Sequence, residues 1–213
     1  MATKFLIDGP ARAKHTILLA HGAGGPMDTP TMTAAAKALV EAGFHVARFE
    51  FEYMAARGRS PGRKPPTRAD KLGPEYLAAI DALKAKGPLI IGGKSMGGRI
   101  ASMIADDLHA AGRIAGLLCL GYPFHPPGKP EQLRTAHLTG MKTPALIVQG
   151  TRDPFGSSQE VSTYALSKTI EILWLEDGDH DLKPRKSVSG FSAADHLKTA
   201  AQAAAAWAGR IAA

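Results

Sequence analysis

The segment Gly93-Lys94-Ser95-Met96-Gly97 sets a serine between two glycines, each two residues away. It follows the apolar run Pro88–Gly92 and opens a helical stripe of Met96, Ile100, Met103 and Leu108. A sharp strand-to-helix turn would hold Ser95 in strained backbone geometry with its hydroxyl clear of the sheet. Side chains two residues to either side would collide there, so glycine fits at 93 and 97. The helix start adds positive potential where an oxyanion would form. Ser95 is therefore the candidate nucleophile for acyl transfer. A blander reading is a glycine-rich helix start with an N-cap serine. A phosphate-binding loop would need its first glycine at position 88, where Pro88 stands, and Leu89, Ile90 and Ile91 continue the apolar strand.

An activated serine needs a histidine, and the histidine needs a carboxylate to fix its tautomer. Of the eight histidines, His15, His45, His109 and His196 fall within elements or at the wrong edge, and His125 and His137 lie in a proline-rich stretch. His180 lies in Glu176-Asp177-Gly178-Asp179-His180-Asp181, just past the last strand pattern, and is the candidate base. Asp153 follows the strand pattern Ala145–Gln149 and should project at the same edge as the orienting carboxylate. The order Ser95, Asp153, His180 is that of an α/β-hydrolase. Asp177, Asp179 and Asp181 alternate as calcium ligands can. The EF-hand pattern fails, with Leu182 at its sixth position and Val188 at its twelfth.

His21-Gly22-Ala23-Gly24-Gly25 follows the strand pattern Ile17–Ala20. A glycine-rich turn there can offer a backbone N–H to the oxyanion. Ala23 is the first choice and Gly24 the second, with the N–H of Met96 as the other donor. His21 is expected to anchor the loop through its ring nitrogens.

These residues need a sheet to hold them at one edge. Strand patterns at Ile17–Ala20, Phe44–Phe51, Pro88–Gly92, Ile114–Leu120, Ala145–Gln149 and Ile170–Leu175 alternate with helical ones. Helical stripes run through Met32, Ala35 and Leu39, through Tyr76, Ile80 and Leu83, over Ser158–Ser167, and through Leu197, Ala200, Ala204, Trp207 and Ile211. The alternation predicts an α/β fold, with a mainly parallel central sheet flanked by helices on both faces. Met1–Lys14 would add a short antiparallel strand. In such sheets the site forms at the C-terminal strand ends, where every candidate lies. Arg57–Gly73 reads as a loop, and one domain over residues 1–213 is expected.

Composition narrows the function classes. The chain has 213 residues, 45% hydrophobic and 21% charged, and no apolar run approaches a membrane span. Met1–His15 lacks the apolar stretch of a signal peptide, so a cytoplasmic location is expected. The single cysteine, Cys119, lies mid-strand as a buried, inert thiol, and excludes an internal disulfide and paired-cysteine zinc sites. Much of the net charge of +7 comes from Arg57–Lys71, with six basic residues against one acid. The near-neutral remainder argues against nucleic acid as a partner. No cofactor or metal is expected.

The motifs His21-Gly22-Ala23-Gly24, Gly93-Lys94-Ser95-Met96-Gly97-Gly98-Arg99, Gly121-Tyr122-Pro123-Phe124-His125-Pro126-Pro127-Gly128 and Gly150-Thr151-Arg152-Asp153-Pro154-Phe155-Gly156 resemble the KANL/Tex family, which is related to the dienelactone hydrolases. The resemblance runs from about Ala13 to the final helix. It implies an α/β-hydrolase fold with Ser95, Asp153 and His180 as triad. Some eukaryotic relatives look like subunits of chromatin-regulating assemblies. Dienelactone hydrolases use a cysteine nucleophile where this chain has Ser95, which weakens a dienelactone assignment.

Cap domains of such hydrolases follow the strand equivalent to Ile114–Leu120. Tyr122–Thr143 is too short for one, so an open cleft without a cap domain is expected. Arg57–Lys71, with Lys183, Arg185 and Lys186, would form a basic rim that either steers anionic substrates or merely keeps loops solvated. The reading is a serine hydrolase (carboxylesterase or thioesterase-like) acting on a small-molecule ester or thioester. The alternative is a non-catalytic interaction module on the same fold.

Overall fold

The computed structural model describes residues 3–57 and 71–211. Seven strands form one sheet: β1 (Phe5–Asp8), β2 (Thr16–Ala20), β3 (His45–Phe49), β4 (Leu89–Lys94), β5 (Gly116–Leu120), β6 (Ala145–Gly150) and β7 (Ile170–Leu175). Their order is β1-β3-β2-β4-β5-β6-β7. Only β1 runs antiparallel to its neighbour, as expected of the N-terminal segment. Strands β2, β4, β5 and β6 are buried end to end. They are covered on both faces, so their sequences read as continuous apolar runs rather than alternating ones.

Two apolar layers flank the sheet. One packs α3 (Gly73–Leu83) and α4 (Met96–Ala110) through Tyr76, Ile80, Ile100 and Leu108. The other packs α1 (Pro30–Glu41) and α7 (Ala193–Ile211) through Met32, Leu39, Ala204 and Trp207. Thr29 starts α1 by accepting the N–H of Met32, with Pro30 in the first turn where its missing donor costs nothing. This is the expected α/β-hydrolase arrangement. The segment between β5 and β6 contains a single 3-10 turn, Ala136–Leu138, and no cap domain.

The chain leaves β2 toward β3 on one side and later returns to β4 on the other. The strand order thus reverses around β2, and such a switch point opens a crevice at the C-terminal ends of β2 and β4. Tyr76 crosses from α3 to peg this junction. Its hydroxyl accepts the Gly92 N–H at 2.9 Å and lies 2.7 Å from Gly92 O and 2.9 Å from Leu18 O.

Three expectations change. The helix expected over Ser158–Ser167 is only α5 (Ser158–Val161). Ser157 closes a capping box with Glu160, so the start is strong, but Ser162 and Thr163 turn their hydroxyls onto backbone carbonyls three residues back and the helix stops. Met103, placed in the core stripe of α4, is 40% exposed. A short helix, α2 (Glu52–Arg57), fills the stretch between the strand pattern ending at Phe51 and the loop expected from Arg57. The last helix before α7 is α6 (Lys186–Ser189). The basic segment Arg57–Lys71 lies mostly outside the described residues.

Candidate active site

Ser95 sits between β4 and α4 with φ 52° and ψ −117°, a left-handed-side conformation that L-residues rarely adopt. The elbow needs its flanking glycines. A Cβ on Gly97 would lie 2.4 Å from Ala20 O, and one on Gly93 would meet the same oxygen at 2.4 Å. Both collisions are with rigid backbone, so β2 could not lie this close to the turn if either residue carried a side chain.

His180 reaches Ser95 from the loop after β7. Its Nε2 is 2.8 Å from Ser95 Oγ, and its Nδ1 is 2.8 Å from Asp153 Oδ2. A carboxylate can only accept, so Nδ1 carries the proton and Nε2 presents its lone pair to the serine hydroxyl. Asp153 is fully buried and His180 mostly so. The structure therefore brings together the three side chains singled out in the sequence, from the C-terminal edges of β4, β6 and β7.

Two further residues hold this chain of bonds. Gln149, at the end of β6, donates from Nε2 to Asp153 Oδ2 at 2.9 Å, while its Oε1 accepts the Tyr122 N–H at 2.7 Å. With the Phe155 N–H on Oδ1 at 2.8 Å, the buried carboxylate is fully engaged. Phe155 also stacks its ring on His180, with centroids 4.0 Å apart. Sequence reasoning missed both. Gln149 was only the last residue of a strand run, though a buried amide four residues before the acid is a signal. Phe155 could be found only from the fold, because its partner is distant in the chain.

The loop after β2 closes the other wall. His21 Nδ1 donates to Gly22 O at 2.6 Å, and its Nε2 accepts the Phe51 N–H at 3.2 Å, so the ring anchors the loop as expected. Tyr53 adds a hydroxyl contact to Ala23 O at 3.4 Å. Ala23 and Gly24 line a cleft of about 370 Å³ with Ser95, His180 and Phe155. Met96 opens α4 directly after Ser95, and a first-turn N–H has no acceptor within its helix. Ala23 thus lines the same cleft as Ser95, and Met96 follows the serine in the chain.

Charge around the cleft is largely paired. Lys94 is buried in its wall, its ammonium 3.5 Å from Asp181 Oδ1; burial lowers its proton affinity, and Asp181 and Asp153 oppose that. Arg185 and Arg152 bind Asp177, and Lys183 lies 3.7 Å from Asp181. Of the cations expected at a basic rim, Arg185 thus shares Asp177 with Arg152, and Lys183 shares Asp181 with Lys94. The same pairing occupies the alternating aspartates, and the described residues hold no cluster of three or more candidate metal ligands. Cys119 is fully buried in β5 and burial pushes its thiol up, as an inert thiol requires. No helix among the described residues is long and apolar enough to cross a membrane.

A second serine–histidine contact exists, with Ser102 Oγ 2.8 Å from His137 Nε2. Ser102 is buried on α4 and also bonds Arg99 O, and no described carboxylate hydrogen-bonds His137. It lacks the exposed turn and the orienting acid that Ser95 and His180 have.

Comparison with known proteins agrees with this fold. The chain is 28% identical over 152 residues to "Putative protein-lysine deacylase ABHD14B" of Pongo abelii, covering 70% of this chain and 67% of that one. Among solved structures, an alpha-beta serine hydrolase homologue from Coxiella burnetii superposes with a TM-score of 0.62 at 24% identity, over 84% of this chain and 83% of the other. A dienelactone hydrolase from Anabaena variabilis gives 0.69 at 20% identity, over 96% and 90%. At these identities the structural likeness speaks for the fold. The model of the alpha/beta hydrolase domain matches residues 13–209, from before β2 nearly to the end of α7, and the chain belongs to that family.

Proposed function

We propose that this chain is a serine hydrolase, of KANL/Tex-like type and built as one domain, that cleaves an ester or thioester of a small substrate. The hydrogen-bonded run from Ser95 Oγ through His180 to Asp153 carries the reading. Ser95 Oγ attacks the acyl carbon while His180 Nε2 takes its proton. Buried Asp153 stabilises the imidazolium. The oxyanion is received by the N–H groups of Ala23 and Met96. As the intermediate collapses, the bond to the leaving group breaks and His180 returns the proton to it. Water then adds to the acyl-enzyme, with His180 again as base, and the acid product leaves with Ser95 restored.

The relative named a putative protein-lysine deacylase supports hydrolysis over a non-catalytic role. The deacylase relative adds acyl-lysine amides to the substrates worth testing. The test is labelling by a fluorophosphonate probe, with turnover of p-nitrophenyl acetate and an acetyl-lysine peptide. The wild type should label and turn over at least one of them, and Ser95→Ala should do neither. Equal labelling of both proteins would overturn the assignment, and a wild type that neither labels nor hydrolyses would favour the interaction module.

A further inference from the structure

Ser95, Arg99, Ser102 and Asp106 recur at helical spacing along α4 and share one face. That face looks onto the segment between β5 and β6. Ser102 meets His137 there and lies 3.3 Å from Tyr122 OH, while Asp106 accepts the N–H groups of Lys142 and Thr143. Arg99 lies between the elbow and these contacts, about one helical turn from Ser95. Arg134 joins the same group: Tyr122 OH donates to its carbonyl at 3.3 Å, and its N–H donates to Phe124 O at 2.7 Å.

The charges here are unbalanced. Buried Arg48 and exposed Arg152 pair with Asp8 and Asp177. Among the described residues no carboxylate pairs with Arg99 or Arg134, although both are half-buried. Arg99 Nε is buried with no hydrogen-bond partner. Burial and the neighbouring Arg99 charge lower the proton affinity of Arg134. The same two causes lower that of His137, with Asp106 opposing, and Asp106 is committed to Thr143 and Lys142. Arg99 also stands in the first turns of α4, where the helix dipole disfavours a cation. Desolvation, like-charge repulsion and the helix dipole all oppose this arrangement, and one anion would relieve all three.

We propose that Arg99, Arg134 and His137 form a binding site for a small oxyanion, a phosphate or a carboxylate. Guanidinium forks pair with such groups through two parallel hydrogen bonds, and Arg99 Nε is a donor awaiting one. His137 gives Nε2 to Ser102, and a bound negative charge favours a proton on Nδ1 as well, adding a third donor. The oxyanion has two sources, a free ion or a charged group on the substrate. The second rests on the hydrolase reading and the first does not.

The test is calorimetric titration of inorganic phosphate into the full chain at constant ionic strength. The wild type should bind phosphate. Arg99→Gln and Arg134→Gln should each weaken it about tenfold or more, the loss expected for a charge-assisted pair. Lys37→Gln, an exposed cation on α1, should not. Absence of binding by the wild type, or undiminished binding by both arginine variants, overturns the site. If Arg99→Gln fails to fold, Arg134→Gln, on a loop, decides alone. Kinetics separate the sources. If Arg134→Gln lowers the ratio of kcat/KM for p-nitrophenyl hemisuccinate to that for p-nitrophenyl acetate, the substrate supplies the anion. An unchanged ratio with lost phosphate binding assigns a free ion. A catalytically silent chain would still give the phosphate result, so the two readings fail separately.

Discussion

Replacing Ser95 by glycine rather than alanine isolates the strain of the elbow. Both variants lose the hydroxyl and its contact with His180, so they differ only in the Cβ. At φ 52° and ψ −117° a side-chain-bearing residue costs about 1–3 kcal/mol, which glycine avoids. Glycine gives back about 0.4–1 kcal/mol through the greater freedom of the unfolded chain. The balance favours Ser95→Gly over Ser95→Ala by about 0.5–2 kcal/mol. For a domain of this size that is a Tm higher by a few degrees. At an ordinary helical position the same swap lowers stability by about 1 kcal/mol, so the sign itself is diagnostic. Near-UV circular dichroism melts of the two variants, with urea midpoints as a second measure, read it directly. A Ser95→Gly protein that melts below Ser95→Ala would refute the claim that the turn stores strain.

Asp153→Asn should keep the fold and lower kcat by about 10³–10⁴, because an amide no longer fixes the His180 tautomer or its charge; steady-state turnover of the best ester checks it. Gln149→Leu should lower stability by about 2–4 kcal/mol in urea unfolding, since the buried Tyr122 N–H and Asp153 Oδ2 each lose a partner. Arg185 and then Arg152 hold Asp177 down to about 2 from an ordinary 3.8. Its contribution is complete above about pH 4 and is lost as pH falls toward 2, so Tm should fall more steeply there in wild type than in Asp177→Asn. If Arg57–Lys71 steers anions, the kcat/KM ratio of hemisuccinate to acetate ester should shrink as sodium chloride rises, and Arg59→Gln, Arg63→Gln and Lys64→Gln together should flatten that salt dependence.

The sheet was legible because burial on both faces leaves uninterrupted apolar runs, and β2, β4, β5 and β6 are such runs. The positions of Ser95, Asp153 and His180 were legible because each lies in the turn or loop that follows a strand of a parallel sheet, so chain position fixes the edge. Contacts between distant segments were not. Phe155 stacks on His180 through packing that local spacing does not encode. The pairing of Arg185 with Asp177 depends on how one loop folds back, which local spacing does not encode either. The shortening of α5 is local instead: Ser162 and Thr163 bond carbonyls three residues back, a choice the apolar stripe does not record.

The Tyr76 peg also sets which parts of the molecule can open separately. The Gly92 amide, two residues before the end of β4, donates to a side chain of α3. Its hydrogen exchange therefore requires α3 to lift off the sheet, and it should exchange as one cooperative unit with the amides of Gly73–Leu83.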